Sequence, residues 1–535
     1  MEISRKRHLR VGRGLAATGA SALLLACMGC TWDRIAAQEV SAALERHERH
    51  RSADAAAYGT GAAEPVGNDA PVTQDAPATA GGEGQAGMRQ PLAALILLAL
   101  ERNPDIQAAA ETAQSMAARV PQVTALPDPV LSTKVLPEPI RTAEGDNYFV
   151  LGVRQTFPFP EKLDRRGRMA LEQAREAIAN LDQQRLRVIA EVKRAYFGLY
   201  VIDRTAQVLG ENQGLLRGLI DVARGQLVAG RRSQQDVLRA QVAFSELESQ
   251  LVELRQQRST IQAQVNRLLS RPHTTPVEIA PELDIRKCDF DLERLLAHAR
   301  RNNPRLAALE HMVERDRQAV RLARLAYWPD LTVGFEWITM APRTAFKPPI
   351  NPQTGRRPPA PMLSEEASDN WAITASLNLP IWFNKIEAGI REARARLLAT
   401  QQRYQSMQDT VDYQMQDALA RVQAQRELAE IFADTIIPQA KQAYDVSLAD
   451  YAAGSEDFQA AIDNWRKWLT FAIQYHRAVG QFQRSLADLE EALATTIVAA
   501  SGDGGTATPA IESPLAVPGT AHPGEPADEA SGVTP

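Results

Sequence analysis

Apolar residues in this chain switch between a period of two and a period near three and a half, and the switches recur in the same order about two hundred residues apart. Trp371, Ile373, Ala375, Leu377 and Leu379 alternate with Asn370, Ala372, Thr374, Ser376 and Asn378, giving a strand with one apolar and one mostly polar face. Leu331, Val333, Phe335 and Trp337 do the same with Thr332, Gly334 and Glu336, and Phe149, Leu151, Val153 and Phe157 with Val150, Gly152, Arg154 and Thr156. Pro129 to Pro137 is a less regular fourth strand. After each strand pair comes a long helical stretch, Glu161 to about Val228 and Asn384 to about Ala449, each extending roughly 100 Å at the helical rise. Ala170, Ala174, Ala177, Leu181, Val188, Val192, Ala195, Leu199 and Ile202 follow mostly a four-three spacing. So do Ile386, Ile390, Ala393, Leu397, Tyr404, Met407, Val411, Met415, Ala418 and Val422. That spacing winds helices on neighbours, and the alanines permit close approach. Pro438 predicts a kink in the second helix, and Gly210, Gly214 and Gly218 a looser stretch in the first.

The repeat extends to the flanking signals. A helix predicted from about Pro91 to Ala118 contains Asn103-Pro104, and its counterpart from about Asp291 to Ala326 contains Asn303-Pro304. Phe157-Pro158-Phe159-Pro160 corresponds to Leu379-Pro380-Ile381-Trp382, and Leu227-Val228-Ala229-Gly230 to Tyr451-Ala452-Ala453-Gly454. After Gly230 and Gly454 helical signals resume at Ser233 and Ser455, running to about Ser270 and Thr496, so each half ends in a helical hairpin. Ser233 and Asp236 read as a helix start, and Glu456 and Asp457 as first-turn carboxylates that favour the helix dipole. Capping explains Asp236 and Asp457. Asp463 lies beyond the first turn, where only a solvated face or a function would place it.

A strand of about ten residues has the length that crosses a hydrocarbon layer at a tilt. Four strands cannot close around a wet lumen, and open edges are not tolerated in lipid, so a membrane reading requires several chains to share one barrel. A sheet covering a soluble core is the alternative from the strand pattern alone; the very long helices favour the membrane reading. Glu138 to Asn147 and the proline-rich Thr339 to Asp369 would then be external turns.

Composition changes the picture at the ends. Arg5, Lys6, Arg7, Arg10 and Arg13 precede the short apolar stretch Leu15 to Ala26, an export signal over residues 1–26. Leu24-Leu25-Ala26-Cys27 resembles a bacterial lipobox, which makes Cys27 the diacylated first residue of the mature chain. Cys30 is the lesser candidate, because Cys27 stands where an aliphatic residue is wanted. A redox or metal role for Cys27 and Cys30 would need a better scaffold than a signal peptide, and Cys288 has no cysteine nearby. Residues 27–90 and 501–535 are rich in Ala, Gly and Pro and read as a lipid-anchored linker and a disordered tail, flanking one repeat over 91–285 and another over 286–500. With 44% hydrophobic residues the chain can bury a core, and its net charge of −5 argues against nucleic acid as a partner. Outside the N-terminus no stretch reaches the ~18 apolar residues of a spanning helix.

The ordered set of N-P helix starts, P-F-P-E-K and P-I-W-F-N-K corners and A-G tips resembles the outer-membrane efflux proteins, the trimeric channel-tunnels of tripartite pumps, over about residues 90 to 497. The resemblance implies an α+β membrane protein. Three chains would form a twelve-stranded outer-membrane β-barrel continued by a periplasmic α-helical barrel. It also implies a homotrimer that meets a periplasmic adaptor and, through it, an inner-membrane transporter, with no cofactor and no catalysis. Its adaptor-docking tips map onto Ala229, Gly230, Ala453 and Gly454. The family tends to close its pore with carboxylates six and nine residues after the second tip glycine. Those positions hold Ala460 and Asp463, so the constriction would rest on Asp463 alone or borrow Glu456 and Asp457. Drugs, metal cations and a secreted polypeptide remain open as cargo. The rivals are a lipid-anchored periplasmic coiled-coil scaffold without a pore, which has no use for paired strands, and an enzyme, for which no phosphate loop, G-x-S-x-G or H-E-x-x-H occurs.

Overall fold

The computed structural model describes residues 92–142, 145–230, 233–279, 283, 285, 290–341, 350–356 and 368–495, together with Gln38 and Ala42. The export signal, both cysteines of the lipobox region and the C-terminal tail lie outside the described residues. In chain order the elements are α1 (Leu92–Arg102), α2 (Pro104–Thr124), β1 (Val130–Thr142), β2 (Gly145–Phe157), α3 (Pro160–Val228) and α4 (Gln234–Leu268). The second half repeats them as α5 (Leu292–Asn302), α6 (Pro304–Arg324), β3 (Leu331–Ala341), β4 (Asn370–Leu377), α7 (Phe383–Ile431), α8 (Ile437–Ala453) and α9 (Phe458–Leu493). Contacts divide the chain into two compact units. One contains residues 111–178 and 308–405, the other residues 179–307 and 406–495 with α1 and the start of α2.

The first unit carries the sheet, an antiparallel meander in the order β1-β2-β3-β4. Register sorts its side chains into two faces. Leu131, Val153, Phe335 and Ile373 form one row across the four strands, and Thr133, Leu151, Trp337 and Trp371 the next. The opposite face carries Ser132, Gly152, Glu336 and Ala372 in one row and Thr156, Thr332 and Ser376 in another. Among the described residues nothing covers the apolar face: Leu131 is 66% exposed and Ile373 67%. The expected turn over residues 138–147 is mostly strand, since β1 runs to Thr142 and β2 starts at Gly145. Proline lacks the ladder-forming N–H, and the pairing accordingly shifts register between Val135 and Ile140, where Pro137 and Pro139 sit.

The P-F-P-E-K corner has a clear physical basis. Lys162 Nζ reaches Asp330 Oδ1 at 2.8 Å and the Trp328 carbonyl at 2.7 Å, the Phe159 N–H donates to the same Asp330 oxygen at 2.9 Å, and Phe159 stacks on Trp328 at 5.1 Å. A second knot of buried polar groups holds the helices of this unit: Thr400 Oγ1 donates to Asp316 at 2.7 Å, and His311 Nδ1 meets Glu172 at 2.8 Å. Burial alone would raise the Glu172 carboxyl, but His311 and Arg175 hold it below its ordinary range.

The second unit holds two buried apolar clusters. Leu95, Ile96, Ile106, Val192, Leu199 and Leu268 form one cluster, and Leu216, Leu247, Tyr451, Phe458 and Trp465 lie in another. The expected opening helix of each half is two helices. Asn103 Oδ1 accepts the Asp105 N–H at 2.9 Å, an N-cap ahead of the helix-compatible Pro104, and Asn303 accepts from Arg305 at 2.9 Å in the same way. Each cap amide also donates to the end of its own half's return helix, Asn103 to Leu268 at 3.0 Å and Asn303 to Ala492 at 3.1 Å. The N-P motif therefore closes each repeat on itself.

The two long helices differ. All nine apolar positions predicted for α3 from Ala170 to Ile202 are buried, and α3 runs unbroken through Gly210, Gly214 and Gly218, so the expected loosening does not occur. The second long helix widens to a π turn at Phe432–Ile436, with the Ile437 N–H bonded to the Phe432 carbonyl, between α7 and α8. Pro438 has no N–H to offer a carbonyl one turn back and its ring would crowd it; the wider turn accommodates both. The α7 stripe is buried from Val411 to Val422 but only half-buried from Ile386 to Met407.

Candidate functional site

The hairpin tips lie in the second unit and depend on two glycines. Gly230 has φ +69° and Gly454 φ +84°, left-handed conformations that a side chain resists. The Ala229 N–H bonds to the Gly225 carbonyl at 3.1 Å and the Gly230 N–H to Leu227 at 3.0 Å. At the second tip the Gly454 N–H bonds to Tyr451 at 3.0 Å and the Ser455 N–H to Asp450 at 2.9 Å, the paired closure by which a helix ends on a left-handed glycine. The Gln226 amide donates to the Ala452 carbonyl at 2.9 Å, next to Ala453, and so brings the two tips together.

The tips rest on a firm base. Tyr451 and Phe458 are fully buried and meet edge-to-face at 5.3 Å, and the Trp465 N–H donates to Asn212 Oδ1 at 2.9 Å. Ser233 caps α4 by accepting the Gln235 N–H at 3.2 Å. Asp236, expected to serve as a capping carboxylate, is instead 6% exposed and accepts the Tyr451 hydroxyl at 3.5 Å, so it joins the first hairpin to the second. Asp457 occupies the N-cap position of α9 in extended conformation, but its side chain makes no capping bond. Glu456 is half-buried and lines a shallow cavity of about 490 Å³ with Gln439, Gln442 and Asn464.

Asp463 lies six positions beyond Asp457 on α9, about 9 Å along the helix. It is half-buried, and the Gln459 amide, one turn earlier, reaches both of its oxygens at 3.0 Å. Gln459 stands at the i,i+4 spacing from which a helical side chain reaches Asp463. The Asp236–Tyr451 and Trp465–Asn212 pairs had no signal, since their members stand more than two hundred residues apart. This geometry holds charge at the surface of a rigid helix end and offers no reacting group. Among the described residues no cluster of three metal-ligating side chains occurs.

Two copies of a strand pair and a helical hairpin with a left-handed glycine tip share one sheet, and the profile of the family described as outer membrane efflux protein matches residues 95–271 and 295–495. The chain belongs to that family, whose members are non-catalytic, and it is not an enzyme. It is 22% identical to the cobalt-zinc-cadmium resistance protein CzcC of Cupriavidus metallidurans over 405 residues, 75% of this chain and 89% of that one. Its fold is similar to that of the outer membrane protein VceC from Vibrio cholerae (TM-score 0.62, 17% identity, 76% of this chain and 96% of that one). It is likewise similar to CusC (TM-score 0.63, 16% identity, 75% and 91%).

Proposed function

We propose that three copies of this chain form an outer-membrane channel that passively conducts substrate delivered by an inner-membrane pump through a periplasmic adaptor. The observation that carries this reading is the sheet: a continuous apolar face left exposed within the chain, a polar face behind it, and open edges at β1 and β4. Open edges are costly in lipid, and three four-stranded sheets paired edge to edge would close into a twelve-stranded barrel with the polar face inward. The half-buried start of the α7 stripe fits a neighbouring chain in the same way. The hairpins would continue the conduit into the periplasm, Ala229, Gly230, Ala453 and Gly454 would meet the adaptor, and Asp463, with Glu456 and Asp457 near the tip, would constrict the pore. Cys27 would carry the lipid anchor. Detergent-purified mature protein should have the mass of three lipidated chains and open pores in planar bilayers; a stable, non-conducting monomer overturns the reading. A mature N-terminus at Thr31 or an acylated Cys30 overturns only the anchor.

The match along most of CzcC favours a narrower reading of the cargo, as cobalt, zinc or cadmium cations. Deleting the gene should then sensitise its host to those three cations and not to hydrophobic drugs, and an unchanged tolerance removes this reading.

A further inference from the structure

Most basic groups at the interfaces of the second unit are matched by acids. Lys193 pairs with Glu490, Arg194 with Asp488 at 2.6 Å and also with Glu491, Arg258 with Asp203 at 2.8 Å, and Arg466 with Glu246 at 3.4 Å. On α9, exposed Arg477 and half-buried Arg484 stand outside these pairs. Among the described residues no carboxylate lies within ion-pair distance of Arg477 or Arg484. They stand seven positions apart on one helix face, about 10 Å along the axis.

Both line a cavity of about 530 Å³ whose walls come from α9, α7 and α3. Its floor is apolar, made by Val201, Leu428, Phe432 and Ala478, while Gln425, Gln474 and Gln481 add amide donors, and no acid contributes to the lining. Arg484 Nε is buried without a hydrogen-bond partner. Burial pushes this guanidinium below its ordinary value, and Asp488 only partly offsets that, its carboxylate being engaged by Arg194. The Arg484 head lies against Gly198 of α3, with Nη2 2.6 Å from where a β-carbon on that glycine would sit. Arginine does not discard its proton, so a half-buried guanidinium with a free donor is stabilised by an anion brought to it.

The geometry points to a binding site for an anionic amphiphile, whose carboxylate, sulfonate or phosphate head meets Arg484 and Arg477 and whose apolar tail lies on Leu428 and Phe432. The site is built within one chain and does not rest on the channel reading. A head group in the cavity would meet the Arg477 and Arg484 guanidiniums, which line it, with charge-assisted bonds, and the tail would cover apolar surface such as Leu428, which is 43% exposed.

The test is calorimetric titration of the full mature protein in an uncharged detergent with octanoate below its micellar range, with 1-octanol as the uncharged counterpart. Saturable binding of octanoate at one site per chain, weakened about tenfold or more by R477Q/R484Q, is the expected result, since a charge-assisted bond is lost at each position. G198A keeps both charges but displaces the Arg484 head, and should weaken binding without altering the chain's circular dichroism. Equal octanoate heats for parent and double variant, or equal affinity for 1-octanol, overturn the proposal. So does a parent that binds no octanoate while the double variant dissociates into single chains, which would assign the arginines to a neighbouring chain's carboxylates.

Discussion

Phe335 in the sheet and Leu247 in the first hairpin are both large apolar residues in the interior of a regular element, yet the first is 43% exposed and the second 2%. The difference extends to their neighbours. Val153 and Ile373, which flank Phe335 across the sheet, are exposed as well, whereas Leu216 and Trp465, in the cluster with Leu247, are buried. The cluster around Leu247 hides its apolar side chains from water. The sheet turns them outward, a choice that is stable only where the surroundings are themselves apolar. One chain thus carries two solutions to the same hydrophobic problem, one in the sheet and one in the helical clusters.

Substitution at the two positions should break the molecule in opposite ways. Phe335→Arg costs about 2–4 kcal/mol per copy at the middle of a bilayer and little in water. The helices should therefore fold with unchanged circular dichroism while the membrane-inserted oligomer is lost from gels. Leu247→Asp, by contrast, buries an unpaired charge and should melt the hairpins before any assembly. If Phe335→Arg inserts and conducts like the parent, the exposed face of the sheet is not a lipid face.

A smaller effect sharpens the hairpin side. Trp465→Phe keeps the ring packed but leaves the Asn212 carbonyl, in a residue 4% exposed, without its donor. A loss of about 1–2 kcal/mol in chemical denaturation of the helical signal is expected, with the sheet unaffected. No change would mean that water replaces the indole and that the tip's base is looser than its geometry implies.

The smallest effect on stability belongs to Asp463→Asn, because among the described residues this half-buried side chain has only Gln459 as a hydrogen-bond partner. Its consequence should appear in conduction instead. If three chains bring Asp463 around one pore mouth, as proposed, their like charges focus a field that attracts cations, so the variant should lose cation selectivity and be blocked less by multivalent cations, at an unchanged melting temperature. Asp417→Asn is the control. It breaks an i,i+4 pair with Arg421 at 2.8 Å, worth about 0.3–0.5 kcal/mol, and should leave selectivity alone. Equal selectivity in the parent and both variants would move the constriction to Glu456 and Asp457.

Elements, strand faces and glycine tips could be read from the chain because each depends on neighbours a few positions away. Period-two alternation gave the faces on which Leu331 to Trp337 and Trp371 to Leu377 lie, and Gly230 and Gly454 stand where left-handed φ ends a helix. The breaks at Asn103 and Asn303 are equally local, since an Asn before Pro carries the cap signal, and they divide what periodicity alone reads as one helix. What lay beyond sequence was decided by residues far apart in the chain. Local rules make Asp236 a capping residue; tertiary packing brings Tyr451 to it and makes it a buried tie. Gly480 looks like any helical glycine until Val201 is found where its β-carbon would be. Arg484 differs from Arg194 only in which carboxylates the fold delivers. Periodicity and backbone conformation are properties of a segment, and the sequence determined them by itself. Which charges find partners and which surfaces stay bare depends on the mutual approach of segments hundreds of residues apart, and only the tertiary structure decided that.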